Sequence, residues 1–342
     1  MMGDVAFDRL EDVLGDWARL APERAPVAET VVALADAGRR IAALVGRGPL
    51  AGRLGAVRRA SDTGDDQKEL DVRAEAILRS ALAHAPVALF GSEESETVEV
   101  LRPEAPLAVA VDPLDGSSNI DTNVSVGTIF SVLPAGPDGL LAPGRAQRAA
   151  GYILYGPQTA MVLTVGEGVD VFTLDPEDGA FRRTARRLAV PPRAAEFAIN
   201  ASNYRHWEPV VRAYVDDCLA GAEGPRGRDF NMRWIASMVA EAHRILTRGG
   251  VYLYPADARR GYAAGRLRLV YEANPIGFLM EQAGGRASTG RAPILDRRPE
   301  SLHERVPLVF GSADEVDRFE RLAGDPPDAP SPLFAERGLL RV

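Results

Sequence analysis

Apolar residues recur at helical spacing in TVVALADAGRRIAALVG (30–46) and again in QKELDVRAEAILRSALAHA (67–85), where Leu70, Ala74, Ile77, Leu78, Ala81 and Leu82 fall on one stripe. Each pattern predicts an amphipathic helix, and the second would hold Asp71 on a rigid element near its first turn. The stretch between them, GRGPLAGRLGAVRRASDTGDD, is dense in glycine and charge and predicts a mobile loop. Two continuous apolar runs follow. PVALF (86–90) leads into Gly91-Ser92-Glu93-Glu94, and PLAVAV (106–111) leads into Asp112. Runs without alternation predict strands buried on both faces, and both deliver acids at their C-terminal ends, where α/β sheets collect ligands.

From about residue 150 to 190 the pattern changes to alternation: YILYG, AMVLTVG, VDVFTL and AFRRTARRLAV read as strands separated by turns. VPPRAAEF marks a seam near residue 193, giving an N-terminal half of 1–193 and a C-terminal half of 194–342. Beyond it, NMRWIASMVAEAHRILTRGG predicts a helix stopping at Gly249 or Gly250, VYLYP and RLRLVYE predict strands, and NPIGFLMEQAGG predicts a second helix followed by Gly284.

Composition narrows the function. The 342 residues carry a net charge of −8, so no overall basic field exists to attract nucleic acid. The only cysteine is Cys218, which rules out a disulfide within the chain and suits a reducing, cytoplasmic setting. The amphipathic, acidic start lacks the pattern of a secretion signal, and no apolar run reaches the ~18 residues of a membrane span, so a soluble protein with no membrane partner is expected.

The densest chemistry lies in VDPLDGSSNID (111–121). Asp112 and Asp115 flank Pro113-Leu114 on a turn leaving a strand, so both carboxylates can face one point, and hard divalent cations such as Mg²⁺ bind through such oxygens. Gly116-Ser117-Ser118-Asn119 follows; glycine permits close backbone approach, and a helix starting here would offer N–H groups to an anion. The plainer explanation is a capped turn, and the chain contains its own control. LDPEDGAF (174–181) repeats DPxDG between two alternating strands, where a hairpin suffices. The case for the first copy therefore rests on its Ser-Ser-Asn extension and on companion acids: Glu93-Glu94 at one strand end, Glu272 at the end of RLRLVYE, and Asp65 and Asp71 from the preceding loop and helix, with Asp66 beside them read as solvated surface charge. Converging like charges need cations.

TGDDQKELD (63–71), GSEE (91–94), VDPLDGSSNIDTNVSVGTIF (111–130), AAGYILYGPQT (149–159), SMVAEAHR (237–244), YLYPAD (252–257), GRLRLVYEANP (265–275) and EQAGG (281–285) together resemble class I fructose-1,6-bisphosphatases, in order along most of the chain. The resemblance implies an α/β fold, the layered α-β-α-β-α sandwich of the sugar phosphatase superfamily. It implies that Glu93, Asp112, Asp115, Glu272 and the Leu114 carbonyl hold two or more Mg²⁺ ions, with Mn²⁺ as a substitute. Asp71 and Glu94 would position and deprotonate the attacking water, assisted by Asp65. Asp115, Gly116, Ser117 and Ser118 would hold the C1 phosphate, and Asn200, Arg233, Tyr252, Tyr254 and Arg266 the sugar and distal phosphate, with Arg268 near the metals. It further implies a sugar bisphosphate substrate and a homotetramer in which Arg233 reaches a neighbouring subunit's site.

The chemistry agrees with that assignment: phosphate monoester hydrolysis needs an in-line water and neutralised phosphoryl charge, which clustered metals supply without a covalent nucleophile. The scattered His84, His206, His243 and His303 are accordingly expected to be structural. Relatives usually carry Lys and Tyr where this chain has Arg266 and Trp234, which loosens the expectation about substrate; sedoheptulose 1,7-bisphosphate is an alternative, and the role could be carbon fixation or gluconeogenesis. Pro106, Leu107 and Pro134 match the nucleotide-inhibition site of some relatives and can donate no side-chain hydrogen bond, so AMP inhibition is expected to be weak. An inositol phosphatase is disfavoured because the Trp-Asp pair usual there is missing from EANPIGFLMEQAGG, and a non-catalytic sugar-phosphate sensor because every catalytic acid is retained.

Overall fold

The computed structural model describes residues 7–59 and 67–324, so the expectations for Asp65 and Asp66 lie outside the described residues. Three helices come first: α1 (Leu10–Ala18), α2 (Arg24–Arg47) and α3 (Glu69–Leu82), with the short strands β1 (Val57–Arg59) and β2 (Gln67–Lys68) paired between the last two. The two helices expected from apolar spacing are thus α2 and α3.

Eight strands then build one sheet: β3 (Val87–Ser92), β4 (Glu99–Val100), β5 (Leu107–Asp115), β6 (Val126–Pro134), β7 (Ala149–Tyr155), β8 (Thr159–Thr164), β9 (Val169–Leu174) and β10 (Phe181–Ala185), in the spatial order 10-9-8-7-6-5-3-4. All neighbours are antiparallel except β3 and β5, which run parallel with Ser92 opposite Val111. The parallel ladder continues one residue further, as the Glu93 N–H donates to the Val111 carbonyl at 3.0 Å. Two strands that start apart in the sequence therefore release their acids side by side.

The C-terminal part adds β11 (Glu196–Ala198), α4 (Pro209–Leu219), β12 (Asn231–Met232), α5 (Met238–Arg248), β13 (Val251–Tyr254), β14 (Leu267–Arg268), α6 (Asn274–Gln282), β15 (Arg286–Ser288), β16 (Arg305–Val306), β17 (Leu308–Gly311) and α7 (Ala313–Gly324). A five-stranded sheet forms in the order 12-11-13-17-15, while β14 and β16 pair separately. Side-chain alternation sorts the layers. Ile153 and Phe130 pack toward α1, α2 and α3, whereas Ile129, Tyr152 and Leu154 face the opposite way onto α5 and α6. Tyr252 and Phe310 close that middle layer from the second sheet, and Val251, Leu253 and Val309 point outward onto α4 and α7. The result is the expected sandwich of helices, sheet, helices, sheet, helices.

Two elements differ from expectation. The helix expected from residue 231 begins at Met238, because Asn231 and Met232 pair as an edge strand with β11 and Ala236 takes a positive φ of 60° just before the N-cap Ser237. RLRLVYE is extended only at Leu267–Arg268. Leu269–Ala273 then winds into a π-helical turn that runs straight into α6. Such turns recur at functional sites because they re-aim a side chain. Glu272 thus arrives on a helical turn and not at a strand end.

Candidate active site

Glu93, Asp112 and Glu272 each place a carboxylate oxygen within 4.8 Å of the others. Glu93 and Asp112 come from the adjacent ends of β3 and β5, and Glu272 from the π turn packed against them. Asp112 and Glu272 are buried, and their pKa values stand well above the ordinary carboxylate range, first because of burial and then because of the Glu93 charge. Arg268 approaches them: its Nε lies 3.2 Å from Glu93, and its backbone N–H donates to Glu272. A set of hard carboxylate oxygens, too crowded and too buried to ionise together unaided, is chemically suited to divalent cations of the Mg²⁺ type. Asp112 also accepts from the Leu114 N–H at 2.9 Å, closing an Asx turn that buries Leu114 beside the cluster.

Asp115 behaves differently. Its carboxylate accepts from the Ser237 hydroxyl (2.8 Å) and from the N–H groups of Met238 (3.1 Å) and Val239 (3.0 Å), so it caps the start of α5 from 122 residues away. Its pKa is raised by burial against the opposing effect of these three donors. Asp115 still adds to the field at Asp112 and Glu272, yet it sits beside the closest trio and not within it.

Gly116 continues the turn with φ +79°, and a Cβ there would meet the Ser237 Cβ at 3.0 Å, so glycine is required both for the backbone and for the close approach of α5. Ser117 and Ser118 begin a 3₁₀ segment (Ser117–Thr122); Ser117 is half-buried and Ser118 exposed. Buried Asn119 ties this segment down through donations to the Ser125 and Ile235 carbonyls at 3.3 and 3.2 Å.

Asp71 is buried in the first turn of α3. One oxygen accepts from the Lys68 N–H at 2.6 Å, while Oδ1 has no hydrogen-bond partner among the described residues. Burial, reinforced by the nearby Glu94 charge, pushes its pKa up to about 7. An acid that exchanges its proton near neutral pH, with one oxygen uncommitted, has the character of a general base.

Asn200, Tyr254 and Arg266 line one cleft with Asn203, Trp207 and Tyr262; its free volume is about 10 Å³, little more than one water. Arg266 donates to the Tyr262 hydroxyl at 3.1 Å and lies over that ring at 4.8 Å. Tyr252 stands between cleft and acids: Trp234 stacks on it at 5.9 Å, and its hydroxyl responds to Tyr254, Asp115 and Glu272, all adding to the effect of burial in raising its pKa. Arg233 lies apart, its Nε 3.8 Å from Glu196, which also accepts from Arg244 and Arg248. Ser237 and Glu196 are the participants that the sequence reading missed. The N-cap position of Ser237 was a usable signal; nothing local marks Glu196.

Fold and site together define a sugar-phosphatase-type α/β sandwich with a carboxylate cation centre. Residues 19–186 match the family model for the fructose-1,6-bisphosphatase N-terminal domain, and residues 190–324 that for its C-terminal domain. The chain is 55% identical over 339 residues to the class 1 fructose-1,6-bisphosphatase 1 of Nitrobacter hamburgensis, covering 97% of this chain and 98% of that one. It is 54% identical to the class 1 enzyme of Rhodopseudomonas palustris BisA53, covering 96% of each. The Leishmania major fructose-1,6-bisphosphatase crystal structure in holo form superposes with a TM-score of 0.86 at 34% identity, covering 93% of this chain and 99% of that one. The chain belongs to the class 1 fructose-1,6-bisphosphatase family.

Proposed function

We propose that this protein hydrolyses the C1 phosphate of fructose 1,6-bisphosphate to fructose 6-phosphate and phosphate. The observation that carries the reading is the meeting of Glu93, Asp112 and Glu272 within 4.8 Å, together with a buried Asp71 whose pKa burial, reinforced by Glu94, pushes up to about 7. Glu93, Asp112, Glu272 and the Leu114 carbonyl would hold Mg²⁺ or Mn²⁺, two or more per chain, with Asp115 completing the set. Bound cations of this kind neutralise phosphoryl charge and ease deprotonation of water. Asp71, with Glu94 near enough to raise its pKa, orients the attacking water and accepts its proton, and Asp65 would assist. Gly116, Ser117 and Ser118 form the edge against which the C1 phosphate rests. Asn200, Tyr254 and Arg266 take the sugar and distal phosphate in a cleft that must widen to admit them, and Tyr252 joins the two ends.

We also propose the division at residue 193, a homotetramer in which Arg233 completes a neighbour's site, and a cytoplasmic, reducing setting. The last suits Cys218, a buried thiol whose pKa burial pushes up to about 12. Among the described residues no helix is long and apolar enough to cross a membrane. Initial rates of phosphate release from fructose 1,6-bisphosphate, sedoheptulose 1,7-bisphosphate and inositol 1-phosphate, with Mg²⁺ present, test the proposal. Turnover is expected on the first, with the second accepted to a lesser degree. Release from inositol 1-phosphate alone, or from none of the three, would overturn it.

A further inference from the structure

A second cavity, of about 280 Å³, is lined by Arg53, Ala56, Val57, Arg58, Glu69 and Arg73, none of which belongs to the acid cluster or the sugar cleft. Three guanidinium groups and one carboxylate line it, an excess of two positive charges among these described residues in a chain whose net charge is −8. Glu69 is fully used: one oxygen accepts from the Arg58 Nε, the other from the Arg73 Nε at 2.7 Å. Arg73 is fixed further by donating its Nη1 to the Ala51 carbonyl at 2.9 Å, so its planar fork is held in place with Nη2 still available beside Gly52. The Arg53 guanidinium has no hydrogen bond or ion pair among the described residues.

Solvated surface arginines ordinarily point apart. Here they converge on a concavity, one of them is immobilised by two hydrogen bonds, and Glu69, their counter-ion among the described residues, is shared. A fixed, partly screened guanidinium fork is the group best matched to the oxygens of a phosphate dianion. We propose that this cavity is an anion site, distinct from the catalytic centre, which takes the phosphate group of a small phosphorylated metabolite. Arg53, Arg58 and Arg73 supply the donors, and Glu69 sets their spacing. Chain neighbours of the lining residues meet the 3₁₀ segment that follows the catalytic turn: Gly55 packs so closely on Asp121 that a Cβ there would overlap its carboxylate, and Lys68 bonds the same carboxylate at 3.0 Å.

The assignment rests on this cavity's geometry and stands whether or not the hydrolytic reading does. The test is equilibrium dialysis of radiolabelled inorganic phosphate against the metal-free full chain at pH 7.5 and low salt. Wild type would be compared with Arg53→Ala, with Arg53→Ala/Arg58→Ala, and with Arg266→Ala as a control that alters only the sugar cleft. The double variant is expected to weaken one bound phosphate per chain by about tenfold or more while Arg266→Ala leaves that phosphate in place, and to keep wild-type phosphate release and thermal melting. If the double variant melts early, Arg53→Ala alone decides, because its guanidinium holds nothing among the described residues. Identical isotherms in wild type and variants, or displacement by chloride at equal concentration, would overturn the proposal.

Discussion

The chain contains two DPxDG turns, 112–116 and 175–179, and they are locally almost the same object. In both, the first aspartate accepts from the N–H two residues on at 2.9 Å, and the glycine adopts a left-handed φ, +79° at Gly116 and +71° at Gly179. Their surroundings differ completely. The 175–179 turn joins β9 to β10 as a hairpin, and its acids pair with Arg182 and Arg9 at 2.7–2.9 Å. The pKa of Asp178 is lowered, chiefly by the Ala180 N–H. Asp112 and Asp115 are buried, have no lysine or arginine partner among the described residues, and have raised pKa values. Five residues of sequence fix the turn; what packs around it decides whether its acids become ordinary surface ions or a charge waiting for a cation.

The sharpest way to break this comparison is to neutralise the equivalent acids. Asp112→Asn is expected to lower kcat by about 10³-fold or more, because it removes a cation ligand, whereas Asp175→Asn should leave kcat within about twofold. Phosphate-release assays on both variants check this, and equal losses would mean that the turns are not functionally distinct. Next in size, Asp71→Asn should cut kcat by about 10²- to 10⁴-fold with substrate affinity retained, as expected for removal of a general base, measured by turnover and by substrate binding in separate experiments.

A third contrast uses pH. Asp71 has a folded pKa of about 7 against roughly 4 unfolded, and those of Asp112 and Glu272 are also raised. Their favourable contribution is complete below the unfolded pKa and lost as pH rises through the folded one. Melting of the metal-free protein should therefore fall between pH 5 and 8, and added Mg²⁺ should raise Tm more at pH 8 than at pH 5. Asp178, with a lowered pKa, contributes in the opposite direction and loses its effect only in acid. The smallest effect concerns the two glycines. Gly179→Ala meets nothing within 4 Å and should cost about 1 kcal/mol of backbone strain without touching turnover. Gly116→Ala bears the same strain and also presses on Ser237, so it should lower both Tm and kcat.

Much of this was legible in the sequence because it depends on local pattern. The apolar runs before Glu93 and Asp112 have no alternation, and both proved to be fully flanked strands. Glu272 was placed correctly for the wrong reason: RLRLVYE alternates, but Leu269 to Ala273 are buried on every side, and once all faces are covered periodicity no longer distinguishes strand from helix. The start of α5 was misread for a related reason. Its N-cap Ser237 is braced by Asp115, and a hydrogen bond spanning 122 residues leaves no trace in any short window. The grouping of Asn200, Tyr254 and Arg266 came from family resemblance and not from spacing, since three separate segments supply them.

The bond from Asp115 to the start of α5 has one further consequence. It stitches the first sheet's catalytic turn to a helix that the second half of the chain contributes, so cutting the polypeptide between β10 and β11 would not yield two self-sufficient pieces. A lone N-terminal fragment would retain a sequestered anion stripped of all three donors, and a lone C-terminal fragment a helix missing its distant stopper. Co-expressed fragments should accordingly find each other and restore turnover, each acting as the other's template.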